Sequence, residues 1–247
     1  MKFNSFIALL IILSSIISQE LLPIKILENS INRLNNQDIS FLCDIKIQSL
    51  SKDPTKLNFQ FHSHWADSSN YYTYIKFNSP IDYKGTELWS YYSDKVIMKK
   101  RMPINNKIID VEDNFEGLDL VNFLNLNQMF NEIQNHELLV DETKFNKKEI
   151  YLIKSYKNNN KKKSIKFYID KNSLCIYKIE WNNKRGILNK ILLFEDWLIL
   201  DEKQFPKSII YEDIKKGIKT TCKLDKINFN SLNNKTIDLI NIGFKND

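Results

Sequence analysis

The sequence predicts a mainly β protein: an incomplete, half-open antiparallel β-barrel of about ten or eleven strands closed by an α-helical lid. Three observations predict it. Short segments of period-2 apolar alternation recur at regular spacing as far as Phe229. Turn-forming residues, among them Pro80, Gly85, Gly186 and Gly217, stand between those segments. Two windows of helical spacing, Ile24–Leu34 and Asp119–Ile133, interrupt the series and can cover one side of a sheet.

Each element has a local reason. Pro23 opens a segment in which Ile24, Leu27, Ile31 and Leu34 share one face, and Asn35-Asn36 ends it. We read it as an amphipathic helix of about four turns. From Leu57 the period changes to 2: Leu57, Phe59, Phe61, Ser63 and Trp65 face one way, and Asn58, Gln60, His62 and His64 the other. Strands follow at 71–77, 86–92 and 95–102, with Val96 and Met98 alternating against Lys95, Lys99 and Arg101. Asp119 is placed to cap the second helix, which carries Leu120, Phe123, Leu124, Phe130 and Ile133. Strands resume at 149–155, followed by one with Ile165, Phe167 and Ile169 on one face and another with Cys175, Tyr177, Ile179 and Trp181. Asn183-Lys184-Arg185-Gly186 turns the chain into 187–200, and segments 207–214 and 218–229 meet at Lys215-Lys216-Gly217. Nothing marks a domain boundary after the N-terminal segment, so residues 19–247 are read as one domain. A sheet with one aromatic face curls around it, and whatever the helices leave unfilled is an apolar cavity.

The N-terminus reads as an export signal. Lys2 precedes the apolar run from Phe6 to Ile17, and Ser18 is a small residue suited to the cleavage position, so residues 1–18 are expected to be removed. That run is short for the ~30 Å of a bilayer core. No Cys follows it, so no N-terminal lipid is expected, and the mature chain should be soluble in the periplasm. The net charge of +6 has one dense basic run, Lys161-Lys162-Lys163 behind Asn158-Asn159-Asn160, which reads as a solvated hairpin loop rather than a nucleic-acid footprint. Cys43, Cys175 and Cys222 have no metal-ligand spacing, and each lies in an apolar strand-like segment. Buried free thiols fit that setting; one disulfide in an oxidising compartment is the alternative.

Motifs for chemistry are absent from the sequence. No Gly-x-Ser-x-Gly elbow, Cys/His pairing or phosphate-cradling loop occurs, which argues against an enzyme and against a cofactor. His62-x-His64 places two imidazoles on one strand face, but His136, at the end of the second helical window, is remote and no third ligand is placed. Surface histidines are the expectation, and no metal. By itself, the aromatic stripe is ordinary core packing.

One stretch changes that balance. Phe77-Asn78-Ser79-Pro80 is followed by Gly85-Thr86, a strand ending at Pro103, and Phe115-Glu116-Gly117-Leu118-Asp119-Leu120 leading into a helix. This order of signals resembles the LolA-like family of outer-membrane lipoprotein-sorting proteins, which have a LolA/LolB-like half-barrel. The similarity resumes at Tyr168-Ile169-Asp170, at Gly186 with Lys190, at Phe205-Pro206 and at Thr220-Thr221. The chain departs from the family where a basic cluster is reduced to Lys107 and where Phe123 replaces an acidic residue. The resemblance implies that acyl chains lie on the aromatic face, against Phe59, Phe61, Trp65, Ile75, Phe77, Val96 and Met98. The later strands would add Ile165, Phe167, Tyr177, Ile179 and Trp181. Ile24, Leu27, Ile31, Leu34, Leu120, Phe123, Leu124 and Phe130 would form the lid. The implied partners are acylated lipoproteins or lipid, an inner-membrane ABC exporter that loads a monomeric carrier, and an outer-membrane acceptor. The alternatives are a carrier or sensor of another hydrophobic ligand, a phospholipid or isoprenoid, and a regulatory module of the same fold.

Overall fold

Alternating apolar and polar residues build a sheet of fourteen strands, antiparallel in every registered pair. The computed structural model describes residues 23–34, 37–50, 53–67, 70–93, 96–111, 133, 135–139, 144–157, 160–230 and 232–244. A helix over residues 23–31, α1, continues as a 3-10 turn at Asn32–Leu34. The strands are β1 (Ile39–Ser49), β2 (Thr55–Trp65), β3 (Tyr71–Ser79), β4 (Glu87–Tyr92), β5 (Val96–Arg101), β6 (Ile108–Asp110) and β7 (Asn135–Leu139). They continue with β8 (Lys144–Phe145), β9 (Lys148–Tyr156), β10 (Ser164–Asp170), β11 (Ile176–Asn182), β12 (Leu188–Leu200), β13 (Lys203–Asp213) and β14 (Ile218–Phe229). Helix α2 (Asn234–Ile242) closes the described chain. The strand order is β6-β5-β4-β3-β2-β1-β14-β13-β12-β11-β10-β9-β7, with β8 paired to β9 off that path. Among the described residues the path ends at β6 and β7, with no pairing between them.

The chain divides into two compact units, Met1–Arg33 with Asn125–Ile191, and Leu34–Leu124 with Leu192–Asp247. In the second, larger unit, β1 pairs with β2 on one side and β14 on the other. Cys43 and Cys222 form a disulfide between β1 and β14, across 179 residues of sequence. Gly85 (φ 81) makes the turn between β3 and β4, where its N–H donates to the Phe77 carbonyl at 2.8 Å. In the smaller unit, β9, β10 and β11 form a meander, with β7 on the far side of β9. Leu27, Ile26 and Ile31 of α1 are buried there.

Several expectations need correction. The strand number exceeds ten or eleven because β6, β7 and β8 are only two to five residues long and carry too little alternation to read. His136 lies within β7, not at a helix end, because Asn135–Leu139 pairs with β9. The regular helix ends at residue 31, and Asn32–Leu34 continue it as a 3-10 turn rather than as α-helix. Cys43 and Cys222 are not free thiols; Cys175 is free and buried. Helix α2 was not anticipated at all. The second lid window, with Leu120, Phe123, Leu124 and Phe130, lies outside the described residues, as do the export segment and the Phe115–Leu120 motif.

Candidate hydrophobic ligand face

Directly paired residues of an antiparallel sheet share a face. In the larger unit the register aligns Phe41, Phe61, Ile75 and Leu88 as one row across β1 to β4. Cys43, Phe59 and Phe77 form the next row. Phe59, Phe61, Ile75 and Phe77 are all buried, at 1 to 3% exposure. Phe41 stacks on Phe61 at 4.6 Å, and Phe59 meets Phe77 edge-on at 5.6 Å. Phe205 of β13 and Phe229 of β14 extend the aromatic contacts from Phe41.

Toward the other end of these strands the side chains change. Ser63, Thr73, Ser90 and Met98 form a row of smaller residues on the same face. Beyond it, Trp65, Tyr71, Tyr92 and Val96 form a second aromatic row, with Tyr71 stacked between Trp65 (4.7 Å) and Tyr92 (4.4 Å). Burial pushes the Tyr92 hydroxyl up, while hydrogen bonds with Ser90 and Thr73 pull against that shift. Trp65 and Met98 are half-buried and Val96 is 40% exposed, so this face runs from a buried floor to an accessible edge. The alternation alone gave the common facing of Phe59, Phe61, Ser63 and Trp65 on β2 and of Val96 and Met98 on β5. Phe41, Leu88, Thr73 and Ser90 were missed; for Phe41 the signal lay in the alternation of Phe41, Cys43 and Ile45.

The smaller unit has its own apolar face. Ile165 pairs with Trp181, and Phe167 with Ile179 and Ile153. Phe167 and Ile179 are fully buried, Ile165 and Trp181 half-buried. Tyr177 is buried too, but a register shift between Tyr168 and Ile169 moves it out of strict alternation. Its hydroxyl donates to Asp170 at 3.1 Å and accepts from the Lys148 ammonium at 2.5 Å. Burial raises the Asp170 carboxyl, but the Ser173 N–H and hydroxyl, the Tyr177 hydroxyl and the Asn172 N–H outweigh it and hold it below its ordinary range. Helix α1 belongs to this unit: Glu28 acts on His136, and Arg33 on Cys175 and Tyr177. Its Leu27 and Ile31 are buried, and Ile24 is half-buried.

The opposite face of β2 to β5 holds a second, separate cluster. Tyr74, Trp89 and Ile240 of α2 are buried together, flanked by Tyr72, Ile108, Leu232 and Phe244. The Trp89 indole N–H donates to the Leu239 carbonyl at 2.9 Å. Beneath them Glu87, 5% exposed, accepts from the Tyr74 hydroxyl (2.6 Å) and pairs with Arg101. His62 packs on Tyr74 at 6.0 Å with Nδ1 buried and without a partner among the described residues; burial lowers its pKa. His64 instead meets both Asp38 carboxylate oxygens at 3.1 Å. The two imidazoles are therefore half-buried and separately engaged, not solvated as expected. Among the described residues no group of three metal-ligating side chains occurs.

The chain belongs to the family whose profile, described as "Uncharacterized protein", matches residues 69–237. No curated protein matches it in sequence. Its fold is LolA-like. A DUF1329 family protein from Desulfovibrio piger superposes with a TM-score of 0.69 at 17% identity, covering 85% of this chain and 95% of the other. An outer membrane lipoprotein-sorting protein domain from Vibrio parahaemolyticus gives 0.69 at 14% identity, with 89% and 97% covered. A LolA superfamily protein from Nitrosomonas europaea gives 0.59 at 15% identity, with 86% and 96% covered. Among the described residues no helix is long and apolar enough to cross a membrane.

Proposed function

We propose that residues 19–247 form a periplasmic carrier that holds the acyl chains of lipoproteins against the aromatic face and shuttles them from the inner to the outer membrane. The observation that carries this reading is the face across β1 to β5, apolar at its floor and opening at Trp65, Tyr71 and Val96. An acyl chain of ~16 carbons carries roughly 12 kcal/mol of hydrophobic cost in water, at ~0.8 kcal/mol per methylene. Crossing an aqueous compartment needs an apolar surface that recovers most of that cost and still lets go. Phe59, Phe61, Ile75, Phe77 and Met98 supply that surface in one unit, and Ile165, Phe167, Ile179 and Trp181 in the other. Tyr177 would bound it with a polar group. Helix α1, with Leu27 and Ile31, would move on loading. Carriage involves no covalent step and needs no cofactor. The partners of this role are an ABC exporter for loading and an outer-membrane acceptor for release.

A photoreactive residue at position 61 should crosslink to acylated cargo, and one at exposed position 60, on the other face, should not. Equal crosslinking from both would reject the assignment. Lipid extraction from protein purified from its own periplasm identifies the cargo, and recovery of phospholipid or isoprenoid alone would replace lipoprotein as the ligand. Sequencing of the exported form should begin near Gln19.

A further inference from the structure

Four hairpin turns of the larger unit lie at one end of its sheet, and each carries an exposed aliphatic side chain. Register places them there. Ile47 opposite Thr55 brackets the β1–β2 turn, and Asn58 opposite Ser79 sets the start of β2 beside the end of β3. Glu87 opposite Arg101 does the same for the β3–β4 and β5–β6 turns, while Ser49 opposite Ile218 adds the β13–β14 turn. The exposed residues are Leu50 (93%), Ile81 (80%), Ile104 (94%) and Ile214 (48%). The turns are neighbours: a Cβ on Gly217 would lie 2.8 Å from Leu50 Cδ1, and one on Gly85 3.0 Å from Pro103 Cγ.

Charge follows the same division. Lys84, Lys107, Lys215 and Lys216 stand exposed on these turns, against Asp53 and Asp82. None of the four lysines pairs with a carboxylate among the described residues. The turns at the opposite end of the unit present Asp67, Asp201 and Glu202 instead. Among the described turn residues, one end is therefore aliphatic and basic, the other acidic.

We propose that the aliphatic end is a docking edge for an anionic bilayer surface. Isolated aliphatic tips on separate turns, with lysines between them, suit a fluid surface that takes each side chain individually while its phosphates meet the ammonium groups. A protein partner would call for a continuous buried patch, which four separated tips do not make. The acidic far end is repelled by the same surface, so docking also sets orientation. This inference goes beyond the carrier reading and stands without it, because it requires no cargo.

The test is flotation of the full chain with vesicles of phosphatidylcholine alone or mixed with phosphatidylglycerol, both free of lipoprotein. The N-terminal apolar run is common to every variant and cancels in comparison. The Leu50→Ser, Ile81→Ser, Ile104→Ser, Ile214→Ser variant should partition about tenfold or more below the parent while unfolding at the same temperature. Lys84→Glu with Lys107→Glu should lose about tenfold, on the mixed vesicles only. Ile199→Ser, which removes another exposed isoleucine, should change nothing. A photoreactive residue at position 104 should label acyl chains, and one at position 199 should not. Equal partitioning of parent and quadruple variant, or equal labelling from positions 104 and 199, overturns the proposal.

Discussion

Strands β3 and β4 bury aromatic or aliphatic side chains on both faces, and the two faces are closed in different ways. One carries Phe59, Phe61, Ile75 and Phe77, purely apolar groups repeated strand after strand, with a disulfide tying β1 to β14 at its side. The other carries Tyr74 and Trp89 among Glu87, Arg101 and His62, and a local helix seals it. The polar atoms of the two large aromatics find partners nearby, Tyr74 on Glu87 and Trp89 on the α2 backbone, while the buried His62 Nδ1 beside them has none among the described residues. Such a cluster is a packed satellite core, tolerant of nothing extra. The phenylalanine face has no polar group among its two buried rows; polar pairing begins only at Thr73, Ser90 and Tyr92, toward its accessible aromatic edge. Surfaces of that kind can exchange one apolar neighbour for another, which is what a carrier requires.

Breaking the links around each face should separate these roles. The largest effect is expected from removing the Cys43–Cys222 disulfide. With 179 residues between its ends, the chain-entropy account gives a loss of about 5 kcal/mol for Cys43→Ala with Cys222→Ala. Urea unfolding of oxidised parent and variant measures it; a loss below about 1 kcal/mol would mean that β1–β14 pairing needs no clamp.

Trp89→Ala should follow, at about 3 to 5 kcal/mol, since it empties a fully buried site and orphans the Leu239 carbonyl. Its contrast is Phe61→Glu on the other face, which should abolish acyl crosslinking because an unpaired carboxylate against an apolar chain costs several kcal/mol or takes up a proton. If Trp89→Ala removed cargo capture while Phe61→Glu left it intact, the two faces would have been assigned the wrong way round.

Gly243→Ala sharpens the sealed face further. A Cβ there would lie 2.5 Å from Trp89 Cγ, so α2 must shift, at a cost of about 1 to 3 kcal/mol by thermal unfolding. Near-ultraviolet circular dichroism should report the displaced indole, and unchanged stability would show that α2 is not held on Trp89.

The smallest expected effect is a pH dependence from His62. Burial lowers its pKa in the fold, while the unfolded chain takes up a proton near ~6.5. Below that value the unfolded state binds more protons, so stability falls as pH drops through it. His136 carries the same sign, with burial lowering its pKa and Glu28 opposing. His62→Phe should flatten the stability profile between neutral and mildly acidic pH, and an unchanged slope would assign it to other groups.

The residues themselves determined the period-2 strands, the turns at Pro80, Gly85, Gly186 and Gly217, and the facing of Phe59, Phe61 and Trp181, because alternation and backbone sterics act over a few neighbours. Their spacing could not tell core from ligand face, since both need the same apolar parity. Only the tertiary structure decided the disulfide between β1 and β14 and the burial of Trp89 under α2, contacts that span 179 and 150 residues. On their own strand faces Trp89 is preceded by Glu87 and Tyr74 followed by Lys76, and α2 carries only Ile240 fully buried. No local pattern marks such a pair as partners. The free energy that holds them comes from one shared dry contact, which exists only after the sheet has brought its surface to the end of the chain.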